Sequence, residues 1–126
     1  IDKNYKDGIV ISSGNTLQNC YKAINKFKTI GKKIGLINIP SIKPLNKSMI
    51  KKLLKKTKFV FTVEDHNIFG GLGSVILESL SDLENKPKVF IHGLPDIFIQ
   101  SDEVENLYRF YNLDSDGIFN FISKNI

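Results

Sequence analysis

Phe59 to Ser74 reads FVFTVEDHNIFGGLGS, and the fold turns on how this stretch is parsed. Phe59, Val60, Phe61, Thr62 and Val63 form a β-branched and aromatic run of the kind found in buried strands. The run passes into two acids and an imidazole, Glu64, Asp65 and His66. It closes on Gly70, Gly71, Gly73 and Ser74, directly before a helical pattern. A strand that crosses a polar, glycine-rich turn into a helix is the repeating unit of open α/β sheets. In such sheets, sites gather at the carboxyl ends of strands. Polar groups at this junction are therefore the first candidates for function.

The same alternation extends in both directions. Upstream, Asp7 to Ser13 reads as a strand, and Gly14 as its exit. Asn15 or Thr16 is positioned to cap the next helix, with Gln18 completing a capping box if Asn15 is the cap. Leu17, Cys20, Ile24, Phe27 and Ile30 recur at spacings of three and four, and Gly31 ends that helix. Lys33 to Ile39 is a second strand, stopped by Pro40. Asn46 caps a helix expected to turn Met49, Ile50, Leu53 and Leu54 inward, with lysines on its other side. Downstream, Leu72, Val75, Ile76, Leu80 and Leu83 form a third helix, and Lys88 to Ile91 a fourth strand. A helix opening at Ser101 or Asp102 is expected to bury Val104, Leu107, Tyr108 and Tyr111. A last one runs from about Asp114 with Ile118, Phe121 and Ile122. This order predicts an α/β fold in three layers, α/β/α, around a mainly parallel sheet. A short fifth strand is expected from 97–100 or from the first few residues.

Composition narrows the class. The 126 residues suit one domain, 1–126, with 41% hydrophobic and 25% charged residues, ordinary values for a globular fold. No apolar run reaches the ~20 residues of a membrane span, so no membrane partner is expected. The single Cys20 cannot form an internal bridge, which fits a reducing cytoplasm. The chain opens on Ile1, and it reads as a piece of a longer or split protein. Charge is divided along it: residues 1–63 hold 14 Lys against 2 Asp, and residues 64–126 hold 4 basic against 11 acidic residues. Nucleic-acid binding is disfavoured. Arg109 is the one arginine, although bidentate contact to phosphate and guanine favours that side chain. The lysines are also spread over several elements.

The chemical motifs are sparse. Gly71-Leu72-Gly73 supplies two glycines of a dinucleotide fingerprint, but Ile76 stands where the third small residue belongs. No phosphate loop, HExxH or zinc spacing is present. His66 and His92 read as structural hydrogen-bond partners. Glu64 and Asp65 are adjacent on an extended backbone, so their carboxylates point to opposite faces and cannot work as a pair on one bond. Ser12, Ser13 and Ser74 lack a nucleophile elbow, and Cys20 is expected to be a small core hydrophobe. No catalytic, cofactor-binding or metal residue is assigned. Two readings of the turn remain. It binds an anion at exposed amides, or its glycines permit close packing while Glu64 and His66 tie the loop to an adjoining domain. The second is preferred.

Taken in order, the motifs resemble the C-terminal domain of transketolase-type thiamine-diphosphate-dependent enzymes. Asp7-Gly8-Ile9-Val10-Ile11-Ser12-Ser13-Gly14 is similar to the opening strand and its glycine exit. Ile42-Lys43-Pro44-Leu45 resembles the IKPLD connector, with Asn46 in place of Asp. Thr62-Val63-Glu64-Asp65-His66 resembles TVEEH, with Asp65 departing from Glu. Gly70-Gly71-Leu72-Gly73-Ser74 matches GGLGS, and Gly93-Leu94-Pro95-Asp96 the GxPD segment. The resemblance implies a mixed sheet of about five strands, one antiparallel. It also implies an assembly-supporting role in a dimeric transferase of carbohydrate metabolism that moves a two-carbon ketol unit between sugar phosphates. Thiamine diphosphate and Mg2+ would be held by preceding domains, in the same or a separate chain, and not by this one. The candidate interface or anion-binding turn is then Glu64, Asp65, His66, Gly70, Gly71, Gly73 and Ser74. The same domain type occurs in 2-oxo-acid dehydrogenase beta chains, where it would dock a partner, and in deoxyxylulose-phosphate synthase. A small anion-binding regulatory domain is the remaining alternative.

Overall fold

The structure, a computed structural model, describes residues 5–126. Four strands form the sheet: β1 (Gly8–Ser12), β2 (Ile34–Asn38), β3 (Phe59–Asn67) and β4 (Lys88–Leu94). Their order is β2-β1-β3-β4, and every pairing is parallel. Between them lie α1 (Leu17–Thr29), α2 (Lys47–Leu54) and α3 (Leu72–Ser79), followed by α4 (Val104–Phe110) and α5 (Ser115–Ser123). The expected α/β/α layering is present. Strand alternation divides the apolar side chains between two cores. Val10, Phe61 and Val63 meet α1 and α5 through Cys20, Phe27, Ile118 and Ile122. Ile9, Ile11 and Val60 meet α2 and α3 through Ile50, Leu54, Leu72 and Ile76. Each such fully buried aliphatic side chain contributes about 1.5–3 kcal/mol relative to exposure.

Several expectations shift in detail. The strand count among the described residues is four, and no antiparallel strand occurs among them. Residues 97–100 are irregular, because Pro95 and the turn after it lead the chain off the sheet edge. The alternative location falls partly on residues 1–4, which lie outside the described residues. β3 continues past Val63 to Asn67, with an irregularity in its pairing to β4 between those two residues. Met49 and Val104, expected inward, are 49% and 62% exposed. Ile50 and Leu54 already fill the space under α2, and α4 buries no residue fully.

The helix ends follow their local chemistry. Asn46 Oδ1 accepts from the Met49 amide at 3.0 Å, capping α2 as expected. Neither Asn15 nor Thr16 caps α1 with its side chain, because a 3₁₀ turn at Gly14–Thr16 intervenes. Gly31, at φ +75°, ends α1 in a Schellman arrangement, with Lys32 N–H donating to Phe27 O and Gly31 N–H to Lys28 O. Among the described residues no helix is long and apolar enough to cross a membrane.

Candidate functional site

From β1 the chain steps outward to β2, then returns across β1 to β3. The reversal places a switch point between the carboxyl ends of β1 and β3, where doubly wound sheets leave a crevice for ligands. Here the chain fills much of that crevice itself. Thr16 Oγ1 lies 2.8 Å from Ser12 Oγ and 3.3 Å from the Val63 carbonyl oxygen. One residue earlier, Asn15 Nδ2 donates to Asp65 Oδ2 at 3.3 Å, and the Tyr108 hydroxyl of α4 donates to the same oxygen at 3.0 Å. Desolvation and the Asp65 carboxylate together push the Tyr108 phenol up to about 12. A cleft of about 190 Å³ remains among Asn15, Asp65, Leu94, Val104 and Tyr108, smaller than the ~300–1,000 Å³ of ordinary ligand pockets.

Glu64 points to the other face, as extended backbone requires. It is 1% exposed. Its carboxylate accepts from the Leu72 amide at 2.6 Å and the Gly73 amide at 3.1 Å, the first residues of α3. Burial pushes the Glu64 carboxyl above its usual range, while the Gly73 and Leu72 amides pull it back. Glu64 therefore seats its own carboxyl oxygens at the helix N-terminus, on the amides that an outside anion would need. The expectation that it ties the loop to an adjoining domain gives way: it faces its own helix.

The glycines of the turn have distinct reasons. Gly70 is the left-handed residue, at φ +72°, with open space where a Cβ would sit. Gly71 is extended, at φ −87°, and a Cβ there would overlap the Glu64 carboxylate and lie 2.8 Å from Asn67 O. A Cβ on Gly73 would lie 2.7 Å from Ile91 of β4. Close approach, not backbone conformation, excludes side chains at these last two. Ser74 closes the turn: its Oγ accepts from Gly70 N at 3.0 Å and lies 3.4 Å from the Ile68 carbonyl oxygen.

His66 extends into solvent, its side chain 68% exposed and its Nε2 3.7 Å from Asp65 Oδ1. His92 is structural. Its Nε2 donates to the Asn112 carbonyl at 2.7 Å, its ring stacks on Phe121 at 4.5 Å, and desolvation lowers its pKa. Cys20 is fully buried, and that burial pushes its thiol up to about 12. The structure thus brings Glu64, Gly71 and Gly73 together, joins Asp65 to Asn15 and Tyr108, and sets His66 with Gly70, Gly71, Phe69 and Lys43 around an open cavity of about 460 Å³. Asn15 and Tyr108 are additions that sequence reasoning misses. Tyr108 shows in sequence only as an apolar helical position, and its partner is 43 residues away.

The chain matches the model of the family described as "Transketolase, C-terminal domain" over residues 1–118. It is 39% identical over 118 residues to 1-deoxy-D-xylulose-5-phosphate synthase of Phocaeicola vulgatus, covering 93% of this chain and 19% of that protein. It is 34% identical over 112 residues to a subunit of apulose-4-phosphate transketolase from the same organism, covering 89% of this chain and 35% of that one. A solved structure of a split gene transketolase, an inactive beta4 tetramer, superposes with a TM-score of 0.85. That match has 24% identity and covers 97% of this chain and 39% of the other; at such identity it speaks for the fold. The chain spans about a fifth of the length of the curated synthases it matches. Motif order, sheet topology and the family model agree, and the chain belongs to the family of transketolase C-terminal domains.

Proposed function

We propose that residues 1–126 form one domain of a longer or split transketolase-like enzyme, where they brace the assembly and leave the chemistry to other domains. The parent would transfer a two-carbon ketol unit between sugar phosphates in the cytoplasm, as a homo-oligomer, using thiamine diphosphate and Mg2+ bound by the preceding domains. The cofactor supplies the carbanion chemistry of such a transfer. One observation carries the bracing role: the polar groups at the switch point are engaged internally, Glu64 with α3 and Asp65 with Asn15 and Tyr108.

The residues present do not fit the cofactor. A diphosphate at the turn would meet the Glu64 carboxylate already seated on the Leu72 and Gly73 amides. Among the described residues no group of three or more His, Cys, Asp or Glu could hold a metal ion. What this chain's residues do is hold the carboxyl ends of β1 and β3 rigid against α3 and α4. The 39% identity to a 1-deoxy-D-xylulose-5-phosphate synthase favours that enzyme as the second reading.

Calorimetric titration of the isolated chain with thiamine diphosphate and Mg2+ tests the division of labour. The expected result is a folded protein with no binding heat and no turnover; tight binding would overturn the bracing role. Restoring the upstream polypeptide and assaying ketol transfer against formation of 1-deoxyxylulose 5-phosphate separates the two parent activities.

A further inference from the structure

The carboxyl end of the sheet carries an apolar surface that the described residues leave uncovered. After β4 the chain presents Ile97, Phe98 and Ile99 at 58%, 104% and 37% exposure, followed by Val104 at 62%. Phe69, 72% exposed, stands on the neighbouring loop. The two loops are held together by Ile68 N–H donating to Leu94 O at 3.0 Å and Asn67 Nδ2 to Asp96 Oδ1 at 2.6 Å. α4 begins beside them, its Val104 lining one cleft with Leu94 and Ile99, and it has no fully buried residue. Isolated surface apolars are ordinary, but five exposed ones on two joined loops and the start of the next helix are a group that marks an interaction site.

The rim is mainly acidic, with Lys43 beside Phe69 and Arg109 in the last turn of α4 as its basic members. Asp96, Asp102, Glu103 and Glu105 flank these apolar residues, and no Lys or Arg occurs between Lys88 and Arg109. A two-fold contact between copies would set this patch against itself, acid against acid, which is repulsive. A contact with the lysine-bearing α2 of a second copy closes as a dimer only if both patches meet both α2 helices across one two-fold axis. The relatives, by contrast, carry most of their length outside the matched segment, which covers 19% of the synthase and 35% of the transketolase subunit.

We infer that this face docks the upstream part of the parent enzyme, with Phe98 as the anchor. The receiving surface is then an apolar pocket rimmed by lysine and arginine. The inference rests on the parent-enzyme reading above and adds to it the face, the anchor and the partner's chemistry.

The test expresses the upstream polypeptide as a separate chain and measures its affinity for this one at low and high salt. Phe98→Ser is expected to weaken binding on the order of tenfold or more, as truncating a central aromatic anchor does. The pair Glu103→Lys and Glu105→Lys should weaken it most at low salt and flatten the salt dependence. Leu77→Ser, on the exposed side of α3, should bind like the parent sequence. Melting temperatures check folding, and Phe98, being fully exposed, should not change them. Binding that survives both face variants would overturn the assigned face and leave the parent-enzyme reading standing, whatever Leu77→Ser does. No binding by the unmodified chain would overturn both. Self-association that Phe98→Ser abolishes, and that the upstream chain does not displace, would make the occupant a second copy and overturn the assignment.

Discussion

At residue scale the turn separates two kinds of glycine, and substitutions should tell them apart. Gly70→Ala meets no atom, yet must hold a side chain at φ +72°; a loss of roughly 1 kcal/mol is expected from backbone strain. Gly71→Val keeps an ordinary φ but pushes into the Glu64 carboxylate and Asn67 O. It should cost more, roughly 2 kcal/mol or above, by displacing a buried hydrogen-bonded group. Urea melts of the two variants compare them, and equal losses would contradict the close-approach account. Glu64→Ala should cost a similar roughly 2 kcal/mol, since the Leu72 and Gly73 amides lose their acceptor. Thr62 offers the opposite sign. Its Oγ1 is buried without a hydrogen-bond partner, so Thr62→Val should stabilise by about 1 kcal/mol in the same assay. None of these details is legible in sequence. GGLGS shows that glycine is needed, but which neighbour each one approaches depends on Glu64 and Ile91 arriving from other elements.

Elements differ in what holds them. α1 and α5 pack through Phe27 and Phe119, with ring centroids 4.4 Å apart, and Lys26 pairs with Asp116 across them. α4 depends instead on its ends and on one hydroxyl. Asn112, at φ +56°, closes its C-terminus with Leu113 N–H donating to Tyr108 O at 2.7 Å, and His92 donates to the Asn112 carbonyl. Tyr108→Phe removes the bond to Asp65 and should cost about 1 kcal/mol. Its clearer signature is faster amide hydrogen exchange over 104–111, with α1 unaffected. His92 gives the helix a pH dependence. Desolvation lowers its folded pKa below the usual 6.5, so the unfolded chain binds the proton more readily. The contribution of neutral His92 is complete above 6.5 and is lost as pH falls from there through the lower folded value. Melting temperature against pH should show this decline, and His92→Gln should remove it. The helical periods are readable from spacing alone. The inward placement of Val104 is not, because it presumes a surface over α4 that the described residues do not provide.

Across the whole molecule, the two cores share β1 and β3, with Val10 and Phe61 facing one and Ile9 and Val60 the other. Unfolding should therefore be a single cooperative transition, with coincident far-ultraviolet dichroism and tyrosine fluorescence curves in urea. Separate midpoints would show that the α2–α3 layer comes away independently. The layer architecture, the order of the elements and the family are all written into the linear chain, since hydrophobic period, caps and breakers are local properties and the motifs are contiguous. The polar turn after β3 is equally visible there. Folding in three dimensions was needed to turn Glu64 inward onto α3, to bring Tyr108 and Asn15 together on Asp65, and to leave the face around Phe98 uncovered by the described residues. Those facts depend on contacts between residues far apart along the chain, and on which surfaces are left after packing, neither of which spacing encodes.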